Sequence, residues 1–304
     1  MTAPKLLIIV LNYNQEEVLA QCLLRLGKVA YRPFEVLVVD NGSRKNPERL
    51  LKSRYPGVHR MVLPDNVGFA GGCNHGIRWA LSQGFDAVVL LNNDAVTRPD
   101  FLEKMVQSAY GDPKIGVVGG VVYRSADLSR PYLAGMRFDF FRAKVKRLLP
   151  SGASAYSIPV VSGSCFLVKA EVLEEIGHLD ERFFIYFEET DFCYRALKQG
   201  IRVVVDPQVK VQHEHGSTFG PESPALQYLY TRNRLLFISK QCPSWMRPWS
   251  FTVRILKDLV RILFSLLRGR IPVARAVGYA LVDYRKGRFG KGRLDCFFHG
   301  QSGS

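Results

Sequence analysis

The chain has 304 residues, of which 47% are hydrophobic, and its formal net charge is +15. That apolar content is sufficient for a folded core and excludes a wholly disordered chain. The six cysteines show no CxxC pair and no metal-finger spacing, which predicts reduced thiols in a cytosolic compartment. From Lys240 onward there are thirteen Lys and Arg residues against three acids, so this end should face an anionic partner, either phospholipid or nucleic acid.

The first part of the chain alternates short apolar runs with helical patterns. Leu6–Leu11 is predicted to be the first strand; it ends at Asn12, and Asn14 is expected to cap the helix that follows. Phe34–Val39 is the second predicted strand and ends at Asp40. In a doubly wound parallel sheet, polar side chains at such strand ends line a nucleotide pocket.

A glycine-rich stretch follows a short third strand, His59–Leu63. It runs from Asn66 to Gly76 and holds four glycines, whose backbone N–H groups can approach a phosphate or a sugar closely. No GxGxxG follows the first strand and no GxxxxGK[ST] is present, so the dehydrogenase, kinase and ATPase classes are disfavoured. A glycine-rich turn without a ligand remains the alternative.

The fourth predicted strand, Ala87–Leu91, is apolar without alternation, as in a strand that is covered on both faces. It is followed by Asn92, Asn93 and Asp94, at the change from strand to helix where open α/β sheets bind ligands. A carboxylate at this position can hold a hard divalent cation together with water and substrate phosphate. An ordinary polar turn is the alternative.

A second acidic cluster lies at Glu188, Glu189 and Asp191, directly after five apolar or aromatic residues. Those neighbours should raise the pKa of one carboxylate, which would suit a general base. The alternative is a charged first turn of a helix over 191–199, favoured by the helix dipole. Both interpretations can hold, because a helix terminus positions a base well.

Histidines and arginines near the end of the apolar pattern are further candidates. His213 and His215 lie just past a late strand, and in a chain that offers Asp94 they are as compatible with metal ligation as with a structural role. Arg232 and Arg234 lie on a predicted helix and suit bidentate contact with a diphosphate.

Beyond Pro248 the sequence predicts a basic amphipathic helix. Apolar residues between Ile255 and Leu267 cover one side, and the other side carries Arg254, Lys257, Asp258, Arg261 and Arg268. The interspersed charges argue against a membrane span. Peripheral attachment to an anionic membrane surface is favoured, and a helix packed on the catalytic domain is the alternative.

In this order, the motifs resemble those of inverting nucleotide-sugar glycosyltransferases of glycosyltransferase family 2, in its rhamnosyltransferase-like branch. The matching stretches are VLNYN (10–14), VVDNGS (38–43), NVGFAGGCNHGI (66–77), LLNNDAV (90–96), GHLDERFFIYFEETDFCYRALKQG (177–200), HEHGST (213–218) and YTRNRLLF (230–237). The resemblance implies an α/β chain with the GT-A fold, Rossmann-like, with a mostly parallel central sheet flanked by helices. It further implies a catalytic domain over 1–240, followed by the basic amphipathic helical region over 241–304.

The resemblance also implies roles for individual residues. The residues implied to bind the donor are Asn12, Asp40 (on the nucleobase), Asn66, Gly72, Asn74, Asn93 and Asp94. Asp94 occupies the position of the metal-binding carboxylate in the family's DxD-type motif, and His213 is implied as a further ligand of Mg²⁺ or Mn²⁺. Glu189 stands for the catalytic base, with Asp191 as a supporting carboxylate. Asn92 and Glu189 both depart from the Asp that many members have, which affects metal affinity and the reach of the base.

The implied reaction moves a sugar from a nucleotide-sugar donor, a dTDP- or UDP-sugar, to a hydroxyl of a lipid-diphosphate-linked or cell-surface glycan. The implied sugar is L-rhamnose, with dTDP-rhamnose as its donor. The cysteines and the basic amphipathic tail together predict a place at the inner face of the cytoplasmic membrane, with no nucleic acid as partner. A sugar nucleotidyltransferase is the second hypothesis, but it would be expected to show a basic glycine-rich loop after the first strand. A non-enzymatic membrane- or nucleic-acid-binding module is the third, and the position of the positive charge on the tail disfavours nucleic acid.

Overall fold

The computed structural model of the chain describes residues 3–124, 127–213, 220 and 222–297. The residues divide into two compact units. The first unit comprises Met1–Arg137, Arg147–Leu179 and Phe192–His215, and the second comprises Phe138–Lys146, Asp180–Asp191 and Gly216–Ser304. The expected division into a catalytic domain, 1–240, and a helical region, 241–304, stays a prediction.

The secondary structure alternates strands and helices in the first unit and is mainly helical in the second. The strands are β1 (Leu6–Asn12), β2 (Phe34–Asn41), β3 (His59–Leu63), β4 (Ala87–Asn92), β5 (Val96–Thr97), β6 (Ile115–Tyr123), β7 (Pro131–Leu133), β8 (Gly135–Asp139), β9 (Lys144–Leu148), β10 (Tyr156–Ser157), β11 (Cys165–Lys169) and β12 (Arg202–Gln212). The helices are α1 (Glu16–Leu26), α2 (Glu48–Arg54), α3 (Gly68–Ser82), α4 (Phe101–Gly111), α5 (Ala170–Ile176), α6 (Glu188–Lys198), α7 (Pro224–Gln241), α8 (Arg247–Leu267) and α9 (Ile271–Arg285).

One ten-stranded sheet organises the first unit. Its main path runs β10-β12-β6-β11-β4-β1-β2-β3, with β5 paired to β12 and β7 paired to β6. β1 pairs in parallel with both β2 and β4, and β6 pairs in parallel with β12. β11 runs antiparallel between β4 and β6. The expected α/β fold with a mostly parallel central sheet is confirmed.

Both faces of the sheet are covered, which explains the apolar runs in the sequence. Along β1, Leu7 and Ile9 pack into one hydrophobic core. Leu6, Ile8 and Val10 pack into a second core on the other face. Successive side chains of a strand point to opposite faces, so a strand that is covered on both faces must be apolar at every position.

The glycine-rich stretch is helical from Gly68 onward, so the alternative of a glycine-rich turn is wrong. α3 begins at Gly68 and contains the remaining glycines of the stretch. A Cβ atom at Gly72 would lie 2.4 Å from Cδ1 of Leu11, and one at Gly76 would lie 2.8 Å from Cγ2 of Ile9. Glycine at these two positions therefore allows the backbone of α3 to pack closely against β1.

The expected cap of α1 by Asn14 is also wrong. α1 begins at Glu16, and no side chain caps its N-terminus. Asn14 adopts a φ of 54°. Its N–H donates to Oγ of Ser43 at 2.8 Å, and its Oδ1 accepts from the N–H of Arg44 at 2.8 Å. Asn14 therefore joins the turns that follow β1 and β2 instead of capping a helix.

The second unit is built mainly from α7, α8 and α9. Its small apolar core includes Tyr228 and Leu229 of α7 and Ala276 and Ala280 of α9. Throughout the described ranges, no helix combines the length and the hydropathy that crossing a bilayer requires.

The predicted amphipathic helix is confirmed as α8, and part of its polar side is buried, whereas Lys257 and Arg268 are exposed. Arg254 and Asp258 are 4% and 0% exposed, and Nε of Arg254 donates to Oδ2 of Asp258 at 2.8 Å. The large apolar side chains are exposed by 40–73%; they are Ile255, Leu256, Leu259, Val260, Leu263, Phe264, Leu266 and Leu267. Within the described residues, α8 thus presents an apolar face to solvent.

Candidate active site

The polar ends of three strands form a hydrogen-bonded group in the first unit. Asn12 at the end of β1 lies opposite Asp40 of β2 in the parallel register. Nδ2 of Asn12 donates to Oδ1 of Asp40 at 2.9 Å, and Nδ2 of Asn93 donates to Oδ1 of Asn12 at 3.3 Å. All three side chains are buried. The structure therefore brings together three of the predicted donor-binding residues, and we call them the strand-end cluster.

Asp40 is held by donors on both of its oxygens. Oγ of Ser43 donates to Oδ1 at 2.6 Å, and the N–H of Ser43 donates to Oδ2 at 3.3 Å. Together with the amide of Asn12, these bonds satisfy a carboxylate that is only 2% exposed. The carboxylate of Asp40 is consequently fixed in orientation at the end of β2.

Asn66 and Asn74 hold α3 in place. Oδ1 of Asn66 accepts from Nδ2 of Asn41 at 3.1 Å and from the N–H of Gly68 at 2.9 Å. The amide of Asn74 donates to the carbonyl of Leu179 at 2.8 Å and accepts from its N–H at 3.1 Å. These contacts are structural, and donor binding by Asn66, Asn74 and the closely packed Gly72 stays a prediction.

Asp94 and His213 meet in the first unit although 119 positions separate them. β5 pairs antiparallel with β12, with Gln212 opposite Val96, so the residue after β12 lies beside the turn that follows β4. Oδ1 of Asp94 lies 3.0 Å from Nε2 of His213. Nδ2 of Asn92 lies 3.2 Å from the same ring nitrogen. The two predicted metal ligands are therefore neighbours.

The donor chemistry of this pair fits a hard divalent cation. Mg²⁺ and similar ions use one or two protein ligands and complete their shell with water and substrate phosphates. Oδ1 of Asp94 and Nε2 of His213 are the two atoms that would hold such an ion. Within the described ranges there is no group of three or more His, Cys, Asp and Glu side chains that could hold a metal. His215 lies outside the described residues.

The acidic pair Glu188 and Glu189 begins α6 in the second unit. Glu188 is 4% exposed, and Glu189 is half-buried. In each, Oε2 is buried and has no hydrogen-bond partner among the described residues. Burial raises the pKa of both carboxyls, and the neighbouring charge of Glu189 raises that of Glu188 further. The pair can therefore take up a proton above the usual range of a carboxylate, and Glu189 is the more accessible member.

The backbone that leads into the acidic pair is strained. Phe184, Tyr186 and Phe187 have φ values of 67°, 70° and 77°. Such left-handed conformations cost about 1–3 kcal/mol each for residues with a bulky side chain. Strain of this kind persists only where the surrounding structure imposes it, so this segment needs a strong external constraint.

Asn233 provides that constraint, a role that is not predicted from the sequence. Its Nδ2 lies 2.8 Å from the carbonyl oxygen of Phe183 and 2.9 Å from those of Ile185 and Tyr186. Asn233 is completely buried on α7. The sequence signal was an amide between two arginines, at a helix position that packs inside the unit. We call these contacts the Asn233 clamp.

Arg232 supports the clamp from the same helix. Its Nε and Nη2 donate to Oδ1 of Asn233 at 3.1 and 3.0 Å. Nη1 lies 3.4 Å from the hydroxyl of Tyr228, and the guanidinium is fully buried. These bonds orient the amide so that its NH₂ group faces the strained segment. Contact of Arg232 with a diphosphate stays a prediction.

Asp191 and Arg234 also lie inside the second unit. The carboxylate of Asp191 is fully buried and lies 2.8 Å from Nζ of Lys240 and 2.6 Å from Nε2 of Gln241. Burial, with repulsion from Arg254, lowers the pKa of Arg234 to about 10. The supporting role of Asp191 in catalysis and the diphosphate contact of Arg234 stay predictions.

Replacing Asn233 with Ala should destabilise the protein by about 3 kcal/mol, because three carbonyls of the strained segment lose the amide beside them while the strain remains. Urea unfolding measures the change. Gln199→Ala removes an exposed amide and should shift the unfolding free energy by less than about 0.5 kcal/mol. If the two variants were equally stable, the Asn233 clamp would make no contribution to the free energy of unfolding.

Replacing Glu188 with Gln should stabilise the protein at high pH only. A carboxyl whose pKa is raised on folding contributes stability below its unfolded pKa and loses it as pH rises through the folded pKa. Each unit of the raise corresponds to about 1.4 kcal/mol. Urea unfolding at pH 4 and pH 8 should therefore show a gain for Glu188→Gln at pH 8 alone. The exposed Glu174→Gln serves as the control, and an equal response of both variants would contradict the burial argument.

The sequence of the chain is similar to those of known proteins. The family model described as glycosyl transferase family 2 matches residues 7–177. The dTDP-rhamnosyl transferase RfbF of Shigella flexneri is 27% identical over 248 residues, which cover 79% of each chain. An N-acetylglucosaminyl-diphospho-decaprenol L-rhamnosyltransferase of Mycobacterium tuberculosis is 26% identical over 293 residues, 86% of this chain and 94% of the relative.

A solved structure shows the same fold. The mannosyltransferase PcManGT from Pyrobaculum calidifontis, in complex with GDP-Man and Mn²⁺, matches with a TM-score of 0.60 at 16% identity, over 95% of this chain and 89% of that one. At this identity the match concerns the fold alone. These findings favour the glycosyltransferase hypothesis over the nucleotidyltransferase and the non-enzymatic module. The chain belongs to glycosyltransferase family 2, where it is similar to rhamnosyltransferases, and it is a glycosyltransferase with the GT-A fold.

Proposed function

We propose that this glycosyltransferase inverts the anomeric centre as it moves a sugar from a nucleoside-diphosphate donor to a hydroxyl of a lipid-linked or cell-surface glycan. The acidic pair at the start of α6, with Glu188 buried and Glu189 half-buried, is the observation that carries the proposal, because it offers a carboxylate with a raised pKa. The names of the relatives from Shigella flexneri and Mycobacterium tuberculosis support L-rhamnose from dTDP-rhamnose as the sugar. The second of these names also supports a lipid-diphosphate-linked acceptor.

Glu189 is the proposed general base. The acceptor hydroxyl loses its proton to the carboxylate of Glu189 while its oxygen forms a bond to the anomeric carbon. The bond from that carbon to the diphosphate oxygen breaks in the same displacement. Because no enzyme nucleophile intervenes, one displacement inverts the configuration. The Asn233 clamp holds the segment before Glu188 and thereby positions the base.

The strand-end cluster is the proposed donor site. Asp40 accepts hydrogen bonds and is fixed at the end of β2, which suits an N–H group of a pyrimidine base. Asn12 and Asn93 extend this group of amides along the carboxyl ends of the strands, where α/β sheets bind nucleotides. Asn66, Gly72 and Asn74 complete the donor side through the position of α3.

Asp94 and His213 would hold a Mg²⁺ or Mn²⁺ ion beside the diphosphate. When bound, the ion neutralises negative charge that develops on the departing nucleoside diphosphate. PcManGT, which shares the fold, is in complex with Mn²⁺, and this agrees with a metal-assisted reaction. Asp94 would contribute a carboxylate oxygen and His213 would contribute Nε2, which would then exchange its contact with Nδ2 of Asn92 for the ion. Arg232 and Arg234 are the proposed cationic contacts of the diphosphate or the acceptor.

Peripheral attachment to the inner face of the cytoplasmic membrane completes the proposal. The exposed apolar face of α8 and the basic residues around it are the features that support it. Trp245 and Trp249 are 77% and 49% exposed and suit the membrane interface. Anionic lipids would attract the positive end of the chain.

Glu189→Gln should lower transfer by about 10²–10⁴-fold, because amide nitrogen and oxygen cannot take the proton. Donor binding by calorimetry should be unchanged. The activity of the unaltered enzyme should fall on the acid side as the base becomes protonated, at a pH above the usual carboxylate range because its pKa is raised. Glu174→Gln is the control, and near-normal turnover of Glu189→Gln would rule out the base assignment.

Asp94→Ala should abolish metal-dependent binding of the donor. A ligand that binds only the folded protein raises its melting temperature. A panel of thymidine, uridine and guanosine diphosphates, each with and without Mg²⁺ or Mn²⁺, measures this effect. Asp86→Ala is the control, since Asp86 directly precedes β4 and so lies at the opposite end of the same strand. Equal metal-dependent shifts in both variants would remove Asp94 from the site.

A further inference from the structure

A basic cavity lies beside α8, wholly within the second unit. Its volume is about 490 Å³, and its lining includes Lys257, Arg261, Arg268 and Arg270. Val260 and Phe264, which are 51% and 54% exposed, line the same cavity. On α8, positions 257, 260, 261, 264 and 268 follow the spacing of one helix face. The cavity thus combines cationic and apolar walls on one surface.

Positive charge in the cavity exceeds the acidic charge that lines it. Among the residues that the structure describes, Glu222 is the one acid in the lining, and its Oε2 lies 2.6 Å from Nη1 of Arg270. Arg261 donates to Gln227, which is neutral. Lys257 donates to the carbonyl of Arg142 at 2.7 Å, which is a neutral acceptor as well. An excess of about three positive charges therefore faces this space, and arginine and lysine side chains bind phosphate well.

The apolar wall restricts the kind of anion. Phe264 and Val260 continue into the exposed apolar face of α8, including Leu263 and Leu267. A free phosphate or nucleotide would leave this face in water, whereas a lipid phosphate would cover it with hydrocarbon. A phosphodiester lipid carries one negative charge and a lipid diphosphate carries more, so the charge excess favours the diphosphate.

One face of α7 links the cavity to the acidic pair. Gln227 lines the cavity, and Tyr230 follows it three positions later on the same face. The ring of Tyr230 lies 4.7 Å from that of Tyr186 and 5.9 Å from that of Phe187, directly before Glu188. Residues three apart on a helix are about 4.5 Å apart along its axis. A ligand held in the cavity is therefore close to the segment that carries the base.

We propose that this cavity binds the diphosphate of the lipid-linked acceptor, with the lipid chain on the exposed face of α8 and the acceptor sugar toward Glu189. This assignment rests on the proposed function for the identity of the acceptor. The cavity forms a subsite for the acceptor that selects a lipid diphosphate over other anionic lipids. The residues of this subsite are Lys257, Arg261, Arg268 and Arg270.

The double variant Lys257→Gln, Arg268→Gln tests the subsite. Both side chains are exposed, so the fold should tolerate the change. The double variant Arg285→Gln, Lys286→Gln is the matched control, because it removes the same charge from exposed positions of the second unit that do not line the cavity. Vesicle flotation uses phosphatidylcholine with a polyprenyl diphosphate, or with phosphatidylglycerol at equal surface charge.

The cavity variant should lose at least tenfold in affinity for polyprenyl-diphosphate vesicles relative to the control variant. The two variants should respond equally to phosphatidylglycerol. In transfer assays, the ratio of KM for a lipid-diphosphate-linked acceptor to KM for the same sugar as a lipid-free glycoside should rise at least tenfold. Free pyrophosphate should compete poorly with the vesicles.

Three outcomes would overturn the subsite. They are equal loss of diphosphate-vesicle binding in both double variants, an unchanged KM ratio, and competition by free pyrophosphate as strong as that of the lipid. Failure of the proposed function has a different signature. In that case the unaltered protein would transfer sugar to neither acceptor, whatever the vesicle results.

Discussion

The parallel pairing of β1 with both β2 and β4 is the constraint on which the first unit depends. Parallel strands end at the same edge of a sheet, so this pairing brings Asn12, Asp40 and the turn after β4 together. The apolar side chains of β1 fill cores on both faces and fix its register, because a shift of one residue would exchange the two faces. The hydrogen bonds of the strand-end cluster are a consequence of that register.

The second unit depends on a different balance, between backbone strain and buried hydrogen bonds. Three left-handed aromatic residues lead into the acidic pair, and the Asn233 clamp compensates that strain through buried carbonyls. Arg232 orients the amide that makes these bonds. The raised pKa of Glu188 and Glu189 follows from the same burial, so the order of this segment and the chemistry of the pair have a common origin.

α8 shows how charge and hydropathy can be distributed against the usual pattern. Its ion pair between Arg254 and Asp258 is buried, and its apolar residues are exposed. Exposed apolar surface of this extent on a folded chain indicates a binding surface. The neighbouring basic cavity gives that surface a chemical preference for an anionic amphiphile.

The sequence by itself determined β1 to β4, the polar ends of β1, β2 and β4, and the amphipathic helix, because burial on two faces and helix periodicity leave direct patterns of hydrophobicity. It also indicated the acidic pair, since three carboxylates after an aromatic run are unusual. Only the tertiary structure decided that the glycines of α3 serve close packing against β1, that Asn14 links two turns, and that Asn233 holds the strained segment. These depend on contacts between residues far apart in the chain, and such contacts leave no local pattern. The meeting of Asp94 with His213 was likewise decided by the pairing of β5 with β12, which spacing in the sequence does not reveal.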